Sequence, residues 1–177
     1  VTMRGDRIDR MFDYLPYDRT PGQWQGIKLM EYSQDNVLKY TDLHSAYNGI
    51  VVDSSDVNIQ KLLLENSTVH NCQGVGVEVN YAKVQIYNTQ LSNTLGHCLY
   101  VCGGDVDVNN CTIAQFYPFD ARRGSAIGFK APVKNLSVKN SIVTGYADDE
   151  VVWTPPMEGE TAEEETFNFS FDHCLLR

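Results

Sequence analysis

The sequence predicts an all-β chain wound as a single-stranded parallel β-helix, and three observations carry that expectation. Residues 74–116 state one pattern twice at a spacing of 22: Val77-x-Val79, Val84-x-Ile86, Asn88 and Leu91, then Leu99-x-Val101, Val106-x-Val108, Asn110 and Ile113. Alternating β-branched residues make short strands with one face buried, and three strands per repeat of this length make one turn of a solenoid. The same ruler extends along the chain. The first apolar residue of the Gly-led strand recurs as Ile27, Ile50, Val77, Leu99, Ile127 and Val151, and a corner marker recurs as Tyr40, Asn66, Asn88, Asn110, Asn140 and His173. Three residues past each marker stands an apolar residue: Leu43, Val69, Leu91, Ile113, Val143 or Leu176.

About six coils therefore fit, and equivalent residues should lie above one another at about 4.8 Å per coil. An Asn column at one corner is then structural, with amides able to bond along the axis.

Residues 1–23 precede the first clear coil. Val1-Thr2-Met3 reads as a strand, Arg4, Arg7 and Arg10 alternate with Asp6 and Asp9 as solvated pairs, and Pro16, Pro21 and Gly22 mark a turn-rich loop. Residues 24–177 are the coils, interrupted by insertions at 53–60, 115–124 and 154–166. The first is short and polar. The second stretches the step from Ile113 to Ile127 to 14 residues where neighbouring coils use 8, and carries Phe116, Tyr117, Phe119, Asp120, Arg122 and Arg123. The third holds Glu158, Glu160, Glu163, Glu164 and Glu165 without an aromatic residue, the composition of a solvated, mobile flap. A strand at the first residues and a coil still in progress at Leu175-Leu176-Arg177 lead us to expect a piece of a longer solenoid, with any signal or lipid anchor outside this chain.

Composition narrows the function. With 177 residues and 42% hydrophobic content but no long apolar run, the chain is one domain without a membrane-spanning segment. A net charge of -9 opposes binding of nucleic acid, which needs clustered Lys and Arg. Cys72, Cys98, Cys102, Cys111 and Cys174 form no Cys-x-x-Cys pair and read as small residues packed in strands and corners. No metal motif is present; His44 and His70 share an offset and should stack one coil apart, but the next coils offer Ser92 and Ala114 there.

Gly26-Ile27-Lys28-Leu29, Asn66-Ser67-Thr68-Val69 and Asn110-Cys111-Thr112-Ile113 resemble the repeats of right-handed parallel β-helix proteins of the pectate-lyase-like superfamily. The handedness follows from this resemblance and from the crossover rule. Within the superfamily the chain most resembles uncharacterised secreted or lipid-anchored β-helix proteins of gut bacteria. That likeness rests on Gly5-Asp6-Arg7, on Met11-Phe12-Asp13-Tyr14-Leu15-Pro16-Tyr17-Asp18, on Pro21-Gly22-Gln23-Trp24 and on Gln115-Phe116-Tyr117-Pro118-Phe119-Asp120. It implies export to the cell surface, the periplasm or the medium.

Enzymes of the superfamily often work on an exposed strand face, and here that face should carry Lys28, Asp53, Glu78, Asn80, Tyr100 and Lys130. A uronate lyase would need a base, Lys130 or Tyr100, and a cation such as Ca²⁺, which Asp53 and Glu78 could hold. The family motifs are incomplete, however. Arg19-Thr20-Pro21-Gly22-Gln23-Trp24 begins an Arg-x-Pro-x-x-Arg element but ends in Trp24, and of the polygalacturonase-like set only Gly96-His97-Cys98 appears, with Asp148-Asp149 after it.

Binding is therefore the leading expectation: Tyr117, Phe119, Asp120, Arg122, Arg123 and Lys28 would hold a polysaccharide or another surface component, without a cofactor. A polysaccharide lyase is the alternative, and a structural spacer in a larger surface protein the third reading.

Overall fold

The computed structural model describes residues 1–130, 133–154 and 168–177. The acidic part of the third insertion, 155–166, lies outside the described residues. The chain winds through three faces in turn. Face A takes Ile27–Leu29, Ile50–Val52, the first halves of Val77–Tyr87 and Leu99–Asn109, then Ile127–Lys130 and Val151–Thr154. Face B takes Asn36–Lys39, Gln60–Glu65, the second halves of the two long strands, Asn135–Lys139 and Phe169–Asp172. Face C takes Thr2–Met3, Asp42–His44, Thr68–His70, Gln90–Ser92, Thr112–Gln115, Ile142–Gly145 and Leu175–Leu176. Every pairing within these faces is parallel.

The register follows the sequence ruler. Ile27, Ile50, Val77, Leu99, Ile127 and Val151 pair one above another, as do Leu43, Val69, Leu91, Ile113, Val143 and Leu176. These columns, apart from Leu176 in the last coil, fill the bore together with Leu62, Leu64, Val84, Ile86, Val106, Val108, Leu136 and Val138 from face B. Each fully buried aliphatic side chain contributes about 1.5–3 kcal/mol.

The Asn column stands at the turn from face B to face C, and its reason is conformational. Tyr40, Asn66, Asn88, Asn110, Asn140 and His173 all have φ between 47° and 56°, the left-handed region that Asn tolerates better than most residues. Stacking runs through the backbone: the N–H groups of Asn66, Asn88 and Asn110 donate to the carbonyls of Tyr87, Asn109 and Lys139 on the next coil, each at 3.1 Å. The side-chain ladder lies one residue further on, inside the bore. Thr41, Ser67, Thr89, Cys111, Ser141 and Cys174 each turn a hydroxyl or thiol back to the carbonyl two residues earlier. Ser67 Oγ also accepts the N–H of Thr41 at 3.1 Å, Thr89 Oγ1 that of Ser67 at 3.3 Å, and Ser141 Oγ that of Cys111 at 3.0 Å.

The N-terminal segment is tied to the coils. Thr2–Met3 pairs with Asp42 and Leu43, a hairpin joins Arg10–Phe12 to Leu15–Pro16, and Asp18 is held by Arg4 and, through its carbonyl, by the Ser45 hydroxyl. Gln23 N–H donates to Ser45 O at 2.7 Å and Trp24 Nε1 to His44 O at 2.9 Å. Just after the first insertion, Lys61 is the extra residue of a bulge where Gln60 pairs Lys83 and Leu62 pairs Val84. Its buried ammonium donates to Met30 O and Glu31 O at 2.8 and 2.9 Å, and burial pulls its pKa down.

Candidate functional site

Alternation along face A places two outward columns side by side. Lys28, Val51, Glu78, Tyr100, Gly128 and Val152 form one by direct register. Asp53, Asn80, Cys102, Lys130 and Thr154 form the other, with Asn80 opposite Cys102 and Lys130 opposite Thr154. The face thus brings together Lys28, Asp53, Glu78, Asn80, Tyr100 and Lys130. Two contacts set its polarity: Lys28 Nζ lies 3.2 Å from Asp53 Oδ2, and the Asn80 amide donates to Glu78 Oε1 at 3.2 Å.

Its centre is a stacked aromatic pair. The rings of His97 and Tyr100 lie 5.0 Å apart at 19°. His97 occupies the space above Gly128, where a Cβ would come within 2.8 Å of the imidazole carbons. Its Nδ1 accepts the N–H of Ser125 at 3.1 Å, while Ser125 Oγ, 2.8 Å from the same nitrogen, gives its own proton to Ile127 O at 3.0 Å. Nδ1 therefore carries the lone pair and Nε2 the proton. Burial pulls the His97 pKa below its ordinary value, partly offset by the Ser125 backbone. Burial, with Cys102 and Glu78, pushes Tyr100 up to about 12, so its phenol keeps its proton at neutral pH and is no base there. Cys102, two residues along the strand, is also raised by burial, against the pull of Tyr100 and Lys130.

The second insertion is a braced shelf. Tyr117 is 5% exposed and packs edge-on to Phe119 at 5.6 Å. Buried Gln115 accepts the Tyr117 N–H at 3.3 Å and donates to Gly96 O at 2.8 Å. Arg123 donates to the carbonyls of Tyr117 and Asp120 at 3.2 and 3.0 Å, and its guanidinium lies 4.5 Å over the ring of Tyr146. Asp120 is held by Arg122 through its side chain and its N–H, which lowers the Asp120 pKa. Of the expected binding residues, then, Tyr117 and Arg123 hold the loop from within. Phe119 and Arg122 face solvent, at 59% for the residue and 90% for the side chain. Tyr146, 56% exposed and edge-on to Phe116 at 4.9 Å, completes the shelf from the following coil. Sequence reasoning missed it because it lies outside the insertion.

His44 and His70 stack at 5.0 Å and 25°. His70 Nε2 meets Asp42 Oδ1 and His44 Nδ1 meets Ser45 Oγ, each at 3.0 Å. Among the described residues no three His, Cys, Asp or Glu side chains converge on a metal position, and no helix is long and apolar enough to cross a membrane. The five cysteines are free thiols.

Stacked parallel coils with an outward-facing column and loops at their corners define a β-solenoid. Residues 22–149 match the family model described as the right handed beta helix region, and the chain belongs to that family. No curated protein and no solved structure matches it.

Proposed function

We propose that this is an exported β-helix domain that binds polysaccharide, or another cell-surface component, without turning it over. The observation that carries the reading is the braced insertion: buried Tyr117 and Gln115 and the carbonyl bonds of Arg123 fix a loop that presents Phe119, Phe116 and Arg122, with Tyr146 of the following coil beside them. Rigid aromatic faces stack on sugar rings with little ordering cost, and an exposed guanidinium bonds hydroxyls or carboxylates. The likeness to exported β-helix proteins supports the location. A glycan array followed by calorimetry with neutral and acidic polysaccharides tests the proposal. Binding that Phe119→Ala and Arg122→Ala weaken supports it, and an array blank for every glycan removes the polysaccharide reading.

The alternative is a polysaccharide lyase with Lys130 as base and Ca²⁺ at Asp53 and Glu78. It is favoured by the convergence of these residues on one face, but Asp53 is engaged by Lys28 and Tyr100 holds its proton. Rising absorbance of unsaturated product from uronic-acid polymers, lost in Lys130→Ala, would establish this reading.

A further inference from the structure

We propose that residues 4–24 form an acid-released strap, clamped over the stacked His44–His70 pair at neutral pH and lifted when His70 takes up a proton.

His44 and His70 point outward from face C by alternation with Leu43 and Val69, yet His44 is 3% exposed and the His70 side chain 12%. The N-terminal segment fastens to the same place. Ser45 gives its hydroxyl proton to Asp18 O, Gly22 N–H donates to Ala46 O at 3.1 Å, and Gln23 and Trp24 Nε1 hold the carbonyls of Ser45 and His44. At Gly22 the strap presses on the next corner, where a Cβ would run into Gln73 Oε1. Its own hairpin leaves Ile8, Phe12 and Tyr14 exposed, so little apolar burial opposes release.

The charges around the pair set the direction. His70 donates Nε2–H to Asp42 at 3.0 Å, and the His44 ring lies 5.0 Å away on its face. On the following coil it pairs with neutral Ser92. From the strap, Arg19 opposes a positive charge on the ring. Arg4, which follows Met3 opposite Leu43, borders His44 and occupies the Asp18 carboxylate. The remaining counter-charge is Asp42, whose side chain is 48% exposed and screened by water. Burial, with His44 and Arg19, therefore outweighs Asp42 and holds the His70 pKa below its ordinary value. Lifting the strap returns water to the imidazole, so the open form binds the proton more tightly and gains population as pH falls below about 6.5.

The test is residue-resolved amide exchange of the 177-residue chain at pH 7 and pH 5, each rate divided by its intrinsic value. Carboxylates stay ionised across this range. The reporters are Gly22 and Gln23, whose N–H groups bond the coil directly. Their protection should fall about fivefold or more at pH 5, while Val84, Ile86, Val106 and Val108 in the bore keep theirs. His70→Gln should bring the ratio between the two pH values to within about twofold. Arg19→Gln should move release to lower pH by removing a repulsion, and Asp42→Asn should move it to higher pH by removing the counter-charge. Equal protection of Gly22 and Gln23 at both pH values overturns the strap, as does an undiminished ratio in His70→Gln. A matching loss of protection in the bore overturns it too, because the opening is then global.

Discussion

The buried carboxylate of Glu150 accepts the backbone N–H of Ala126 on the preceding coil at 2.8 Å, and with its other oxygen that of Ala147 at 2.7 Å. Glu150 occupies the position before the face A anchor, which earlier coils give to Gly26, Gly49, Gly76, Cys98 and Ala126. Gly145 makes the room, since a Cβ there would lie 2.0 Å from Glu150 Oε1. Removing the carboxylate strands the buried N–H of Ala126 and the part-buried N–H of Ala147, at roughly 3 kcal/mol. Glu150→Ala should lower the melting temperature by roughly 6–12 °C, and Gly145→Ala should do likewise by displacing the carboxylate. A melting point within a degree or two of the parent for both would show that the contact contributes nothing.

The bore ladder makes a second prediction. Ser141→Ala removes the acceptor of the Cys111 N–H and the bond to Lys139 O, so a loss of about 1–2 kcal/mol is expected in urea unfolding. Ser141→Thr, which keeps the oxygen, should recover most of it. At the neighbouring corner Asn88→Ala should cost about 1 kcal/mol and Asn88→Gly almost nothing, because φ there is 47°. If Asn88→Ala and Asn88→Gly unfold alike, backbone strain is not what selects Asn.

Physical cause also separates what was legible in the sequence from what was not. Inward apolar columns announce themselves because a parallel coil must bury one side of every strand, so Val77, Leu99 and Ile127 fall on a fixed ruler. The Asn corner was visible for the same reason, but stacked amides were the wrong emphasis: the positive φ is a backbone property that residue spacing does not display. The ladder was in plain sight as Thr41, Ser67, Thr89, Cys111, Ser141 and Cys174, always one past the marker, yet mixed hydroxyls and thiols do not look like one column. Period two placed Glu78, Asn80, Tyr100 and Lys130 on one surface. It could not place His97, whose partner Ser125 is 28 residues away and whose seat is a missing side chain at Gly128. Nor could it divide the insertion into props and contacts, since Tyr117 and Phe119 look alike until one is buried.

Two histidines link stability to pH. Burial dominates at His70, outweighing its bond to Asp42, with His44 and Arg19 pushing the same way as burial, and it dominates at His97 too. Both folded pKa values therefore lie below the unfolded one of about 6.5. Between the two values the unfolded chain binds more protons, so stability falls as pH drops below about 6.5 and is fully present above it. Denaturant unfolding should give a lower free energy at pH 5.5 than at pH 7.5, in a range where carboxylates remain ionised. His70→Gln combined with His97→Gln should flatten that slope. A slope that persists in the double variant would place the titrating groups elsewhere.

The insertion separates its two arginines. Arg123 spends its guanidinium on two loop carbonyls and the Tyr146 ring, whereas Arg122 reaches solvent and, among the described residues, pairs with Asp120. Arg123→Ala should therefore release the loop: amide exchange across residues 116–124 accelerates, and thermal stability drops by about 1–2 kcal/mol equivalent as two carbonyl bonds and a cation–π contact go. Arg122→Ala should leave exchange and melting unchanged, because an exposed pair contributes little, and should act only on ligand affinity. Hydrogen exchange on both variants distinguishes the roles. Equal protection of the loop in Arg123→Ala and in the parent would mean that the shelf is held by Tyr117 and Gln115 alone.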